Sequence, residues 1–260
     1  MTLVYFMCYF EEKSDMKLKN NTILITGGSS GIGLELTRRL HENGNTILIC
    51  GRSVEKLEFV KKEIPAVQFY PCDLSDPAQR QELYNWVANN HPSCNVLINN
   101  AATVHKTNFL ADGEMIEKTE SEVQTNLMAP IVLSKLFLPM LMKNRDAAII
   151  NITTGLIYAP RAVYPIYNAT KSGLHAFTRV LRHQLRTEPV KVIEVMMSAV
   201  DTPWHQGDPP KVAISPQNAV AEMLHKLEKG KVEIKIGGVK ILYMLSRIAP
   251  SFAFKKINQL

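Results

Sequence analysis

Tyr167 and Lys171 are the residues whose types and spacing point most directly to chemistry. They stand four positions apart near the start of a helical stretch, so both side chains should project from one face of that helix. A free tyrosine has a pKa of about 10, and an ammonium group a few ångströms away lowers such a pKa by roughly 1–3 units. The pair could therefore transfer a proton at neutral pH. The alternative is a packed aromatic ring beside a solvated lysine.

The segment 26–33 is a glycine-rich turn that could bind a phosphate group. Its candidate binding residues are Gly27, Ser29, Ser30, Gly31, Ile32 and Gly33. The turn follows an apolar run at 22–25 that is typical of a buried parallel strand, and it precedes a helical pattern at 34–40. Glycines allow a tight turn, and free backbone amides at the helix start can then face a pyrophosphate. A glycine turn alone is weak evidence, because it also serves purely structural purposes.

Short apolar strands alternate with helical stretches through most of the chain. The predicted strands are 22–25, 45–50, 66–70, 95–98, 147–152, 190–197 and 232–236. The predicted helices are 34–40, one that starts near 54, 76–90, 126–144, 167–186 and 216–229. Right-handed crossovers between such strands give a parallel sheet covered by helices on both faces. The sequence therefore predicts a single, doubly wound α/β domain with a parallel sheet of about seven strands.

Glycine, charged and polar residues that could bind a ligand come directly after these strands, at the edge where a doubly wound sheet binds its ligands. They are Gly27, Arg52, Asp73, Asn99, Thr154 and the residues from Ser198 onward. We expect them to gather along one edge of the sheet. For Asp73 the alternative is a turn or helix-cap carboxylate, which is a common use of aspartate after a strand.

Length and composition favour one large domain with a buried core, since 46% of the 260 residues are apolar and 21% are charged. We assign 16–236 to this domain, 1–15 to an N-terminal extension, and 237–260 to an amphipathic tail packed on the domain. No apolar run approaches the ~20 residues of a membrane-spanning helix, and the start lacks the basic leader of a secretory signal. The net charge of +6 is scattered along the chain, which argues against nucleic-acid binding.

The four cysteines stand too far apart for a zinc site or a redox dithiol, so no metal is expected. They are Cys8, Cys50, Cys72 and Cys94. We interpret them as reduced thiols of a cytoplasmic protein, with Cys50 on a core strand.

The order and spacing of these motifs resemble those of the short-chain dehydrogenase/reductases. The matching positions are the glycine turn 26–33, Asp73, the segment 99–102, Asn126, Thr154 and the segment 167–171, and the match extends over 20–236. Within that family, segments 151–156, 167–171 and 199–202 look most like the DltE-type bacterial oxidoreductases. The resemblance implies a Rossmann-type fold and an enzyme that interconverts a carbonyl and an alcohol with a nicotinamide cofactor.

The resemblance implies four catalytic roles. Tyr167 would exchange a proton with the substrate oxygen, and Lys171 would hold the nicotinamide ribose and lower the pKa of the tyrosine. Thr154 stands where the family usually has serine, and its hydroxyl would bind the substrate oxygen. Asn126 would support a chain of water molecules to the lysine.

The resemblance also implies cofactor contacts for three further pairs of residues. They are Asp73 and Leu74 at the adenine, Asn99 and Ala101 along the cofactor groove, and Val200 and Thr202 at the nicotinamide carboxamide. One departure precedes the last pair, because Met197 and Ser198 replace the usual Pro-Gly of the family.

The end of the second strand predicts which dinucleotide is bound. An acidic residue there would bind the ribose hydroxyls of NAD, but this chain has Gly51 followed by Arg52 and Ser53. A charged hydrogen bond from Arg52 to the 2′-phosphate would contribute about 1.5–3 kcal/mol, or roughly ten- to hundredfold in affinity. The sequence therefore predicts NADP(H) over NAD(H). A solvated arginine at a helix start is the alternative.

The sequence also bears on the partners of the protein. The apolar helices near 126 and 167 suggest a homodimer or homotetramer, and the tail could cap the cleft, pack on a partner or lie on an anionic membrane. Packing is favoured, because Pro250 interrupts any long amphipathic helix.

We interpret the segment 197–215, with His205 on its surface, as a mobile lid over the substrate.

The function has two alternatives, a non-catalytic protein that senses NADP and a sugar-nucleotide epimerase, which would need a longer substrate domain. The substrate is a partly apolar small molecule of open identity. Its proposed pocket residues are Val104, His105, Leu156, Tyr158, Tyr164 and Trp204.

Overall fold

Seven parallel strands form one sheet in the part of the chain that the structure describes, in the order β3-β2-β1-β4-β5-β6-β7. The structure is a computed structural model, and it describes residues 17–205, 207 and 209–259. The strands are β1 (Thr22–Thr26), β2 (Thr46–Gly51), β3 (Gln68–Pro71), β4 (Cys94–Asn99), β5 (Ala147–Thr154), β6 (Val190–Met197) and β7 (Glu233–Lys235). The predicted N-terminal extension, including Cys8, lies outside the described residues. The predicted sheet is thus confirmed, and no strand end differs from its predicted position by more than two residues.

The strands are continuous apolar runs because helices cover both faces of the sheet. Successive side chains of a strand point to opposite faces. In β1, Ile23 and Ile25 therefore belong to one buried cluster and Leu24 to the other. All residues of β4 and β5 are buried, which identifies these strands as the centre of the core.

Nine helices of eight or more residues surround the sheet within the described residues. They are α1 (Gly31–Glu42), α2 (Val54–Glu63), α3 (Pro77–Asn90), α4 (Met115–Val123), α5 (Ala129–Leu141), α6 (Pro165–Gln184), α7 (Pro216–Glu228), α8 (Val239–Ile248) and α9 (Pro250–Ile257). None of the described helices is long and apolar enough to cross a membrane. Caps define several starts: Ser53, Asp76 and Ser215 each accept a hydrogen bond from a backbone amide in the first turn of their helix.

The helix predicted over 126–144 is present as α5, but helical structure begins earlier than the sequence indicated. Helical structure begins at Met115 with α4 and continues through a π-helical turn, Gln124–Met128, into α5. The only residue of α4 that is fully buried is Glu122, so the apolar periodicity that reveals a helix in a sequence is weak there.

The expectation that α5 is buried on both sides is only partly met. Leu133 and Phe137 are fully buried against the sheet. Val132 and Leu136, on the flank of the helix, stay partly exposed in the single chain, although Leu136 also packs against the buried cluster. The flank of α5 is therefore only partly covered.

The strand order reverses at the boundary between β1 and β4. From β1 the chain builds outward through β2 to β3, and it then returns to β4 on the other side and continues to β7. Loops at the carboxyl ends of β1 and β4 consequently lead in opposite directions and leave a crevice between them. The candidate site lies at this crevice.

Candidate active site

The glycine turn after β1 forms one wall of the crevice. Gly27 and Gly31 have φ values of 66° and 51°, in the region that favours glycine. A Cβ atom at Gly33 would lie 2.1 Å from the carbonyl oxygen of Gly27, so the turn can close only with glycine there. The start of α1 therefore faces the crevice with backbone amides and no intervening side chains.

The loop after β4 is fastened to this turn through Thr26. The Thr26 hydroxyl accepts hydrogen bonds from the backbone amides of Asn100, at 2.9 Å, and Ala101, at 3.0 Å. The Asn100 side-chain amide donates to the Thr26 carbonyl oxygen at 3.0 Å. Ala101 is consequently held on the wall of the crevice, as predicted for a cofactor contact.

Asn99 does not line the crevice, which corrects the sequence prediction. Its side chain is buried and donates to Asn151 Oδ1 at 2.8 Å, and Asn151 donates to Thr178 Oγ1 at 2.9 Å. Because the Asn99 side chain points toward Asn151 and α6, the groove is lined by Asn100 instead. Asn99 therefore helps to position α6, the helix that carries Tyr167.

The end of β2 presents positive charge to the crevice. Arg52, Ser53 and Lys56 all line it, and Gly51 leaves the position free of a carboxylate. Ser53 also caps α2 by accepting a hydrogen bond from the Lys56 amide at 3.3 Å. Lys56 was missed from the sequence, although its position three residues after the cap places it on the same side of the first helical turn.

Asp73 and Leu74 line the same end of the crevice. Asp73 also accepts hydrogen bonds from the Ser75 amide, at 2.9 Å, and from the Ser75 hydroxyl, at 2.8 Å. The turn interpretation of this carboxylate is therefore confirmed, and Asp73 stands at the predicted place as well.

Tyr167 lies on the cavity wall in the first turn of α6, beside Thr154 at the end of β5. Desolvation raises the pKa of the Tyr167 phenol above its ordinary value, and a side-chain hydrogen bond with Thr154 opposes that increase. The expected lowering of this pKa by Lys171 was thus wrong for this arrangement. The surrounding protein disfavours a phenolate more strongly than its neighbours stabilise one.

Lys171 lies one helical turn from Tyr167 and is buried. Its Nζ atom donates to the carbonyl oxygen of Ile152 at 2.8 Å and lies 5.9 Å from the centre of the Tyr167 ring. Burial lowers the pKa of this amine to about 8. The lysine therefore stays mostly protonated at pH 7 but titrates well below its ordinary range.

Asn126 lies in the π-helical turn and does not reach the cavity. It holds the backbone of Thr103, whose amide donates to Asn126 Oδ1 at 2.8 Å and whose carbonyl accepts from Nδ2 at 2.7 Å. A longer contact of 3.4 Å joins Nδ2 to Thr170 Oγ1. π-Helical turns often mark functional sites, and here Thr125 and Thr103 face the cavity on either side of Asn126.

The segment after β6 returns to the cavity in spite of the unusual Met197 and Ser198. Val200 pairs with Ile214 in an isolated parallel bridge, and both Val200 and Thr202 line the cavity. Thr202 lies against Gly31, where an added Cβ would be 3.1 Å from its methyl carbon. The residues predicted to contact the carboxamide are thus placed opposite the glycine turn.

One cavity of about 640 Å³ joins all these groups. Beyond Tyr167 it is lined by Tyr164 and Trp204, whose rings lie 5.4 Å apart, and by residues of the tail: Val239, Ile241, Leu242, Leu245, Ala253, Lys256 and Ile257. The predicted packing of the tail is seen here, with Val239 and Ala253 fully buried. The helices α8 and α9 form the outer wall of the cavity.

Three predicted pocket residues lie elsewhere, while Leu156, Tyr164 and Trp204 do line the cavity. His105 Nδ1 contacts Glu122 at 3.0 Å, and the Tyr158 hydroxyl donates to Met196 Sδ at 3.0 Å. Val104 does not line the cavity either. Within the proposed lid, residues 206 and 208 and the side chain of His205 lie outside the described part of the chain.

A family model described as short chain dehydrogenase matches residues 21–212, which span the sheet from β1 through the segment after β6. The chain belongs to the short-chain dehydrogenase/reductases. It is also 43% identical over 248 residues to the oxidoreductase DltE of Bacillus subtilis, covering 94% of this chain and 98% of that protein. The predicted resemblance to DltE-type members of the family is therefore confirmed.

Two solved short-chain dehydrogenases superpose well on the chain. One, from Burkholderia cenocepacia in complex with NADP, has a TM-score of 0.82 and 23% identity, and covers 93% of this chain and 99% of its own. A metagenomic short-chain oxidoreductase in complex with NADP has a TM-score of 0.70 and 28% identity, and covers 84% of this chain and 96% of its own. The predicted Rossmann-type fold is confirmed by these structures.

Two residues of this short-chain dehydrogenase were missed at the far end of its cavity. Arg161 precedes α6, and Lys256 lies on α9. Neither belongs to a motif of the sequence, and only the folding of the tail over the cavity brings them to one site.

Proposed function

We propose that the protein is an NADP(H)-dependent oxidoreductase that interconverts a carbonyl and an alcohol by hydride transfer. The observation that carries this proposal is the position of Tyr167, which lies on the cavity wall, hydrogen-bonded with Thr154 and one helical turn from the buried Lys171. A phenol, a hydroxyl and an ammonium group then converge on one space large enough for a small molecule.

NADPH, when bound, supplies the hydride for the substrate carbon, and the protein supplies the proton. The raised pKa keeps the Tyr167 phenol protonated at neutral pH, so it donates its proton to the carbonyl oxygen during reduction. The Thr154 hydroxyl donates a hydrogen bond to the same oxygen and orients it. The ammonium group of Lys171, whose Nζ atom lies 5.9 Å from the centre of the Tyr167 ring, lies close to the negative charge that develops on the phenol once the proton has left.

The crevice fits a dinucleotide. The glycine turn would hold the pyrophosphate with the amides of Ser29 to Gly33, because no side chain fills the space in front of α1. Asp73 and Leu74 would contact the adenine, and Ala101 the middle of the groove. Val200 and Thr202 would hold the nicotinamide carboxamide. Lys171 would bind the nicotinamide ribose.

The preference for NADP(H) over NAD(H) rests on charge at the end of β2. Arg52 and Lys56 both line this end of the crevice, where an NAD enzyme would carry a carboxylate. Two cations and the Ser53 hydroxyl can bind the 2′-phosphate. The metagenomic relative, which binds NADP, supports the same assignment.

We propose a homodimer that forms through α5 and α6. Val132 and Leu136 on the flank of α5 are partly exposed, and Val180 of α6 is 56% exposed. Burying such a surface against a second copy removes apolar area from water. Light scattering at micromolar concentration should give twice the mass of one chain, and a monomer would contradict this assembly.

The buried free thiols Cys50, Cys72 and Cys94 support a reducing compartment such as the cytoplasm.

A panel of aldehydes and ketones, incubated with the protein and NADPH, tests the proposed reaction. We expect a fall in NADPH absorbance with at least one compound and no fall without a carbonyl compound. Tight binding of NADPH without turnover of any compound would indicate a sensor and contradict the proposed catalysis.

A further inference from the structure

Two cationic side chains, Arg161 and Lys256, line the same cavity as Tyr167, and Arg161 lies over the Tyr164 ring. Neither forms an ion pair with a carboxylate among residues 17–205, 207 and 209–259. Asp73, which lies at the adenine end, is the sole acidic residue that lines the cavity within this described part. These two cations therefore give this part of the cavity a positive charge that no carboxylate of the described residues neutralises.

Arg161 lies close to the reactive tyrosine. Its guanidinium carbon is 5.7 Å from the centre of the Tyr164 ring, and that ring is 6.4 Å from the ring of Tyr167. A guanidinium group above an aromatic face keeps its donors free for another partner at the ring edge. One aromatic ring thus separates the proton donor from the first cation.

Lys256 faces the same space from α9. Ala253, Lys256 and Ile257 share one side of this helix, because they stand three and four positions apart, and all three line the cavity. Ala253 is fully buried, so this side of α9 is fixed against the body of the protein. Lys256 itself is exposed, so it lines the cavity at its rim.

A pair of hydrogen bonds holds the two cations at one end of the cavity. Asn258 Oδ1 accepts from the Ala162 amide at 2.5 Å, and Asn258 Nδ2 donates to the Pro160 carbonyl at 3.1 Å. These contacts bracket Arg161 on both sides and tie its loop to the helix that carries Lys256.

Apolar side chains share the lining of this cavity with Tyr167 and the two cations. They include Leu156, Val239, Leu242 and Leu245, together with Trp204. A substrate that fills this cavity must match apolar side chains, a proton donor and two cations.

We propose that the substrate is a carbonyl compound with an apolar chain that ends in a carboxylate or a phosphate, and that Arg161 and Lys256 bind this anionic group. The inference rests on the proposed function, because it places the carbonyl group at Tyr167. It adds the class of substrate that the site accepts, an anionic amphiphile.

Binding of simple probes to the NADP-loaded protein tests this inference without requiring turnover. Decanoate, decyl phosphate, methyl decanoate and decanol share one chain length, and their binding can be followed by calorimetry or by tryptophan fluorescence, to which the cavity residue Trp204 contributes. We expect decanoate or decyl phosphate to bind at least about tenfold more tightly than the two neutral probes. The tighter of the two anions identifies the preferred group. Equal affinity for charged and neutral probes would overturn the inference.

Variants at the rim complete the test. The R161Q and K256Q substitutions should each reduce the affinity for the anionic probe by about three- to tenfold and leave the neutral probes unchanged, since both positions are partly or fully exposed. Lys255→Gln is the matched control, because this exposed neighbour on α9 does not line the cavity. An equal loss in all three variants, or no loss in R161Q and K256Q, would contradict the assignment. NADP binding is measured in parallel, so that failure of the proposed function itself is seen separately.

Discussion

Replacement of Lys171 by methionine should change how the stability of the protein depends on pH. Lys171 is 2% exposed, and its burial lowers the pKa of the amine to about 8 from the ordinary 10.5. In the unfolded chain the amine keeps its ordinary pKa. Between these two values the unfolded state binds more protons than the folded state, so the free energy of unfolding rises with pH.

The size of the effect follows from the two pKa values. Each pKa unit of difference corresponds to about 1.36 kcal/mol. Because the pKa falls from 10.5 to about 8, the free energy of unfolding begins to change with pH from about pH 7 upward. When this dependence is integrated from pH 7 to pH 10, the free energy of unfolding of the wild-type protein should rise by about 2.5 kcal/mol relative to that of Lys171→Met. The lost hydrogen bond to Ile152 contributes nearly equally at both pH values and cancels in this comparison.

Urea unfolding of both proteins at pH 7 and pH 10, without added cofactor, measures this difference. All other titrating groups are common to the two proteins, so the difference between them isolates residue 171. A difference that stays constant within about 0.5 kcal/mol over this range would mean that the amine titrates normally in the fold. The description of a buried lysine with a depressed pKa would then be wrong.

Three substitutions test the cofactor site and its support. In titrations, Arg52→Gln should weaken the binding of NADPH about ten- to hundredfold and leave the affinity for NADH unchanged. Lys62→Gln is the control. Equal losses of affinity for both cofactors would contradict this prediction. Gly33→Ala places a Cβ 2.1 Å from Gly27 O and should reduce NADPH affinity about tenfold or more, whereas Gly113→Ala, with no atom within 4 Å, should not. Asn126→Ala leaves the Thr103 backbone unpaired and should lower the free energy of unfolding by about 1–3 kcal/mol; an unchanged urea midpoint would refute this.

The sheet could be predicted because its strands leave a strong local signal. β1, β4 and β5 are buried on both faces and therefore appear as continuous apolar runs between turn residues. The glycine turn and the spacing of Tyr167 and Lys171 are equally local, since each depends on neighbours within a few positions. These features needed no knowledge of the tertiary structure.

Other features depend on contacts that a sequence does not display. Asn99 was assigned to the groove because it ends a strand, but the direction of one side chain depends on the register of β4 against β5. The pKa of Tyr167 was predicted from one neighbour, while its environment includes the whole cavity wall. Lys256 lies far along the chain from the catalytic motif at 167–171, and only the fold brings α9 to the cavity.

The most direct test of the account is the rate of NADPH oxidation by wild-type protein and by Tyr167→Phe with a carbonyl compound that the wild type reduces. Loss of the proton donor should lower kcat by about 10²- to 10⁴-fold. The affinity for NADPH should stay within about twofold, because the hydroxyl alone is removed. Equal kcat values for the two proteins, with NADPH bound equally well, would contradict the central claim that Tyr167 supplies the proton.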